Sequence, residues 1–210
     1  MENKVQRPTH IDRFTGATLV FVAVIFVVSL VFYVRERAAN YPERFVFEIP
    51  PATQAVEFTD EDGASISLRD LNGSYSLVAF GYTHCPDVCP LTLSDFYRVK
   101  RQLGEDGDKL NYVLISVDGA RDTPQAMKNF VTRFDEDFIG MTTADDSRLS
   151  TVADAFDVYY SRIYLDNSAI EYICDHTATV FLLGPDGNVV NTFPFGVHPD
   201  DMARDIAPRL

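Results

Sequence analysis

Tryptophan is absent from this sequence, and cysteine occurs only three times. Three cysteines are too few for a disulfide scaffold, and an odd number leaves at least one thiol outside any internal pair. Positive charge is scarce too, with 18 Lys and Arg against 31 Asp and Glu. The imbalance deepens after residue 37, where 13 cations face 28 anions. A domain so acidic has no electrostatic hold on nucleic acid or on an anionic lipid surface. Nucleic acid is therefore excluded as a partner. The charge solvates the surface, or draws cations and basic partners. Low-complexity tracts and internal repeats are missing as well. What remains, 46% hydrophobic and 23% charged over 210 residues, suits one ordinary folded domain with a short appendage.

The appendage is amino-terminal. Residues 14–34 carry no charge, and 21 helical residues at ~1.5 Å each reach ~31 Å, enough to cross a ~30 Å hydrocarbon core. A cleaved signal peptide has an apolar core of about 7–15 residues and a small-residue cleavage site. Here the run is longer, and Arg35-Glu36-Arg37 follow at once. The expectation is an N-terminal cytoplasmic segment at 1–13, a single transmembrane helix at 14–34, a proline-bearing tether at 35–55 and a folded domain at 56–210. Lys4, Arg7 and Arg13 before the span balance Arg35, Arg37 and Arg44 after it, and the amino terminus tips the orientation toward N-inside. With Glu2 and Asp12 present, the first 16 residues do not resemble a transit peptide. A bacterial inner membrane fits.

Within the domain, strand and helix patterns alternate. Val56 and Phe58, then Ile66 and Leu68, flank the turn Asp60-Glu61-Asp62-Gly63 and predict a hairpin. Leu77–Phe80 is a short continuous apolar run, as a strand buried on both faces requires. A helix is expected from about Pro90 to Gly104, because proline suits a first helical turn. Tyr112–Val117 repeats the buried-strand pattern. Thr123-Pro124 caps and opens a helix running to Phe134, and another covers Ser147–Phe156. Thr179–Leu183 and Asn188–Phe193 flank Gly184-Pro185-Asp186-Gly187 as a closing hairpin, and a short helix from Asp200 ends the chain. The class is α/β with crossover connections.

Chemistry concentrates where the first buried strand ends. Tyr82-Thr83-His84-Cys85-Pro86-Asp87-Val88-Cys89-Pro90 leaves that strand and enters a helix, the place where open α/β sheets hold ligands. A helix N-terminus lowers a thiol's pKa toward the thiolate, the form that binds metal and attacks disulfides. Cysteines at i and i+4 can share one ion or close a disulfide. Later, Tyr172-Ile173-Cys174-Asp175-His176-Thr177 leads into a strand expected in the same sheet. Two thiolates and one imidazole suit a soft ion, Cu(I) first, with Cu(II) possible.

From Phe58 onward the chain resembles the Sco/SenC family of copper-binding, thioredoxin-like proteins. The resemblance rests on the cysteine segment, on Ser116-Val117-Asp118 with Arg121-Asp122-Thr123-Pro124, on Asp175-His176-Thr177 and on Gly184–Gly187. It implies a thioredoxin-like fold with an N-terminal hairpin and a late hairpin insertion. It also implies copper ligation by Cys85, Cys89 and His176, and a metallochaperone role in assembling the binuclear copper centre of cytochrome c oxidase subunit II. Further partners follow: a copper donor, a thiol reductant system, and the membrane through one N-terminal helix. The domain is expected in the periplasm. Gly119-Ala120 depart from the family's usual proline and acidic residue, which bears on loop shape. Cys174 stands where an aliphatic residue is usual. In an extended chain it shares a side with His176, as a packing thiol or an auxiliary one. His84, His10 and His198 are not expected to ligate, and Asp118 and Asp175 are read as structural hydrogen-bonding groups.

Three other chemistries are open to these residues. The same pair, Cys85 and Cys89, could act as a thiol–disulfide oxidoreductase that reduces the cysteines of the target copper site. Against that, the spacing is one residue wider than Cys-x-x-Cys, and no proline lies between Asp166 and Thr179. A peroxidase of the peroxiredoxin type wants a threonine three residues before its cysteine, where this chain has Tyr82 or Pro86. A structural Cys₃His zinc site would recruit Cys174, but lacks the short Cys-x-x-Cys knuckles that such sites use.

Overall fold

In the computed structural model, residues 13–39, 46–165 and 170–210 are described, with side chains of 18–32 in the first segment. The chain divides into two units, residues 1–44 and 45–210. In the first, helix α1 runs Arg13–Ala39. Its side chains from Thr18 to Phe32 are exposed all round, with Leu19, Phe21, Phe26 and Phe32 each at 66–70%. Such a helix has no polar face to present to water. Those fifteen residues span ~22 Å, short of a ~30 Å core. Among the described residues, no helix is long and apolar enough to cross a membrane. The expected span over 14–34 lies partly outside the residues whose side chains are described, and residues 1–12 of the expected N-terminal segment 1–13 and residues 40–45 of the tether lie outside the described residues.

The second unit begins earlier than its alternating pattern suggests. Phe47 exchanges backbone hydrogen bonds with Val189, and Ile49 is 1% exposed. Pro51–Gln54 then form α2, whose Gln54 amide donates to the carbonyls of Ile49 and Asp186. The last ten residues of the expected tether thus carry core and hydrogen-bonded positions. Next come β1 (Phe58–Thr59), β2 (Ser65–Ile66), β3 (Ser76–Gly81), α3 (Val88–Leu103), β4 (Asn111–Ser116), α4 (Pro124–Val131), β5 (Ile139–Met141) and α5 (Asp146–Ala155). The chain closes with β6 (Tyr160–Tyr164), β7 (Tyr172–His176), β8 (Val180–Leu183), β9 (Val189–Phe193) and α6 (Pro199–Ile206).

Five strands make the central sheet in the order β5-β4-β3-β8-β9. β3, β4 and β5 are mutually parallel, joined by α3 and α4 as crossovers; β8 adds antiparallel to β3, and β9 antiparallel to β8. Every residue of β3 is buried, as a strand covered on both faces must be. One face packs Tyr112 and Phe138, stacked at 5.1 Å, beneath Phe96 of α3. The other gathers Phe80, Phe156 and Phe181, with edge contacts at 5.0–6.1 Å, and Phe47 beside Phe156. Each such pair adds about 0.5–1.5 kcal/mol beyond its burial. The two clusters hold the sheet between two helical layers.

Two outlying ladders matter. β1 and β2 form the expected N-terminal hairpin, although Leu68 belongs to a 3₁₀ turn, not to a strand. β6 and β7 form a two-stranded antiparallel hairpin outside the central sheet, from Tyr160↔His176 to Tyr164↔Tyr172. α3 starts two residues before Pro90, whose missing N–H falls among the donors that a first helical turn leaves free anyway. α4 stops at Val131, three residues before the expected end, where Phe134 N–H turns back to the Val131 carbonyl. At the loop after β4, a Cβ added to Gly119 would lie 1.7 Å from the Thr143 carbonyl oxygen. The departure from the family's proline is thus matched by a backbone approach that excludes any side chain.

Candidate metal centre

β3 ends at Gly81, and the chain turns through Tyr82–Asp87 into α3. Two backbone donors left free by that turn face sulfur. Tyr82 N–H points to Cys89 Sγ and Cys89 N–H to Cys85 Sγ, each at 3.5 Å. Gly81 is required here. A Cβ would stand 2.7 Å from Cys89 Sγ and 3.1 Å from Leu114 Cδ1.

The third donor arrives from the other side. His176, the last residue of β7, brings Nε2 to 3.5 Å from Cys89 Sγ. Its Nδ1 lies 3.1 Å from the Thr177 carbonyl. A carbonyl only accepts, so Nδ1 carries the proton and Nε2 offers a lone pair. Tyr82 packs against the imidazole at 90° and 5.9 Å, setting the ring plane. One donor atom each from Cys85, Cys89 and His176 lie within 4.8 Å of one another. Metal–thiolate and metal–imidazole bonds are about 2.0–2.3 Å, so a small inward adjustment lets one ion reach all three. Cys85 is half-buried and Cys89 is buried, which leaves the group open on one side only.

The two thiols are electronically unequal. A hydrogen bond from the Cys89 thiol, together with backbone N–H groups of Cys89 and Asp87, holds Cys85 well below the ordinary thiol range. Cys89 is pushed far up, because its proton is the one shared and because it is buried. The resting pair is thus a Cys85 thiolate beside a Cys89 thiol, the partly deprotonated state from which metal binding or disulfide exchange starts.

Behind the thiols lies a carboxylate that the sequence showed only as part of the Arg121–Pro124 motif, with no role attached. Asp122 is 0% exposed and accepts from Thr83 N–H (3.0 Å), Thr83 Oγ1 (2.6 Å) and Ser116 Oγ (2.7 Å). It pins the cysteine loop to the end of β4. Asp118, also 0% exposed, takes the hydroxyl of Tyr172 at 2.7 Å and the Nε of Arg121. The reading of Asp118 as a structural hydrogen-bonding group agrees with this. Asp175, given the same reading, is exposed and shows no such burial. The signal that could have found Asp122 and Arg121 is their adjacency in a charged pair just after a buried strand. The burial of Asp122 and the place of Arg121 could not be inferred without the partners Thr83 and Tyr172, which lie 39 and 51 positions away.

The remaining candidates fall outside the donor group. His84 is half exposed, with Nδ1 3.0 Å from Thr83 Oγ1 and 3.7 Å from Asp122. His198 caps α6 by accepting from Asp200 N–H. His10 lies outside the described residues. Cys174 is buried, and burial, reinforced by the Asp118 charge, pushes its thiol up to about 11. Its extended placement on β7 is as expected, yet its sulfur does not join the three donors.

The family model for SCO1/SenC matches residues 50–210. This chain belongs to the SCO1/SenC family. An SCO2-like protein of Rickettsia conorii is 32% identical over 146 residues, covering 70% of this chain and 71% of the relative. The human mitochondrial SCO1 homologue is 34% identical over 154 residues, covering 72% of this chain and half of the longer human protein. The structure of Bradyrhizobium japonicum ScoI with copper bound superposes with a TM-score of 0.67 at 37% identity, covering 73% of this chain and 96% of that one. The SCO1/SenC domain here is thioredoxin-like.

Proposed function

We propose that this SCO1/SenC protein is a copper metallochaperone that binds Cu(I) through Cys85, Cys89 and His176 and delivers it to the binuclear copper centre of cytochrome c oxidase subunit II. The observation that carries the reading is the convergence of two sulfurs and one imidazole nitrogen within 4.8 Å. Soft donors of this kind select a soft ion. Three of them, with Cys85 half-buried, leave an approach for an incoming ligand that a closed four-donor cage would deny. The recipient is taken from the family resemblance, as are a copper donor and a thiol reductant system. The exposed apolar helix α1 supports a membrane tether, with the domain on the periplasmic side of a bacterial inner membrane.

The full chain in detergent, reduced and titrated with Cu(I) against a competing chelator, tests this. One Cu(I) should bind per chain. Cys85→Ala or Cys89→Ala should abolish tight binding, because one thiolate and one imidazole under-coordinate a soft ion. His176→Ala should weaken it and leave a two-thiolate remnant. A Cys85→Ala/Cys89→Ala chain that binds as tightly as the parent overturns the assignment.

One observation favours a second reading. A thiolate–thiol pair in which Cys85 is low and Cys89 high is also the resting state of a thiol–disulfide reductant. Turnover of insulin disulfides by the metal-free chain, with weak copper retention, would place the protein in that class.

A further inference from the structure

β7 belongs to no large sheet. Among the described residues it pairs only with β6, and an isolated two-stranded hairpin is marginal by itself. The place of His176, at the end of β7, therefore depends on what fastens this hairpin to the domain. At the His176 end the chain passes through Thr177, whose N–H bonds the Tyr159 carbonyl, into β8 of the central sheet. At the other end the fasteners are the side chains of Arg121 and Asp118, with Arg162 of β6 3.9 Å from the same carboxylate. Arg121 Nη1 donates to the Tyr172 carbonyl at 2.9 Å, and its guanidinium lies 3.6 Å over the Tyr172 ring. Its Nε pairs with Asp118, which also takes the Tyr172 hydroxyl. Backbone, ring and hydroxyl of one β7 residue are thus held by the Arg121–Asp118 pair, while Arg162, on the hairpin itself, lies 5.5 Å over the same ring.

The same guanidinium reaches His176 by a shorter route. It sits 5.9 Å from the Tyr82 ring, and Tyr82 in turn stands edge-on to the His176 imidazole at 5.9 Å. The Tyr82 hydroxyl meets the backbone of Cys174, between the two ends of β7. Arg121 Nη2 is buried without an acceptor. For packing alone an apolar side chain would serve as well, since a buried ion pair is often replaced at no loss of stability.

We infer that Arg121 is a positioning residue of the donor group, which clamps β7 through Asp118, Tyr172 and Tyr82 so that His176 Nε2 faces the two sulfurs. This rests on reading Cys85, Cys89 and His176 as copper donors. It adds a specific claim: Arg121 acts on the metal only through the imidazole.

The test compares Arg121→Met, Tyr172→Phe, His176→Ala and Arg121→Met/His176→Ala with the parent, each as the full chain in detergent loaded with Cu(I). Competition titration gives affinity, and X-ray absorption counts sulfur and nitrogen neighbours of copper. Arg121→Met should weaken Cu(I) binding about tenfold, the usual cost of losing an outer support of a ligand. It should also reduce the nitrogen contribution while both sulfurs stay. In the His176→Ala background the same change should have no further effect, because its route to the metal is gone. Tyr172→Phe keeps the ring and should show a smaller shift of the same kind, which carries the test if Arg121→Met does not fold. Parent-like affinity and nitrogen content in both variants, or full additivity with His176→Ala, overturns the inference alone. A parent without sulfur-bound copper overturns the donor reading and the inference with it.

Discussion

Cys85 and Cys89 are four positions apart and chemically opposite. Cys85 accepts hydrogen bonds from the Cys89 thiol and from the Cys89 N–H, so it stays a thiolate well below the ordinary thiol range. Cys174 is pushed the other way, to about 11, by burial and by the Asp118 charge. Alkylation rates follow the thiolate fraction. In the metal-free, reduced chain, the Cys85 rate should therefore stay nearly flat from about pH 9 down to about pH 5, where an ordinary thiol of pKa about 8.5 loses tenfold per unit. Cys174 should stay unmodified until the solution becomes strongly alkaline. Mass mapping of iodoacetamide adducts across that range checks both. A Cys85 rate that falls tenfold per unit below about pH 8 would contradict the hydrogen-bonded pair. The thiols were legible as a site from their place between a buried strand and a helix. Their asymmetry was not, because it arises from the hydrogen bond between the two thiol groups and from the burial of Cys89, both set by the folded loop.

Elements with local signals were the ones that could be read. β3 and β4 are continuous apolar runs. α4 announces itself by the cap Thr123, which accepts from Ala126 N–H, followed by Pro124. β8 and β9 flank a turn whose Gly187 needs φ of 78°. Elements defined by their partners escaped. β5 is three residues ending an acidic stretch, and becomes a strand by pairing with β4. β6 reads Tyr-Ser-Arg-Ile-Tyr with no buried residue, and exists through its ladder to β7. The loop after β4 gives a test at this scale. Gly119→Ala places a Cβ 1.7 Å from a backbone oxygen at Thr143, so the loop or the segment entering α5 must move. Overpacking of this kind costs about 1–3 kcal/mol. Urea unfolding should show that loss as a lower midpoint with an unchanged slope. Full parental stability would mean that this loop shifts freely, and that the family's proline could be accommodated.

At the scale of the whole chain, two units of opposite surface chemistry share one polypeptide. Residues 45–210 enclose the buried apolar cluster and the donor group. The described side chains of α1 are instead exposed and apolar on every side. Exposed apolar area costs about 25 cal/mol per Å² in water, so a helix of this surface is stable only against lipid or another apolar partner. The acidic balance of the rest of the chain gives no electrostatic route to an anionic membrane, so the test of the proposed tether falls on α1. The full chain expressed in bacteria should accordingly sediment with membranes, resist extraction by alkaline carbonate and be released by detergent. Removal of residues 1–44 should move the protein to the soluble fraction with the Cys85 thiolate signature intact, because no donor lies in the removed part. An alkaline phosphatase fused after Leu210 should be active if the domain faces the periplasm. Release of the full chain by high salt would instead point to a peripheral protein whose α1 is covered by a protein partner, and an inactive fusion would reverse the orientation.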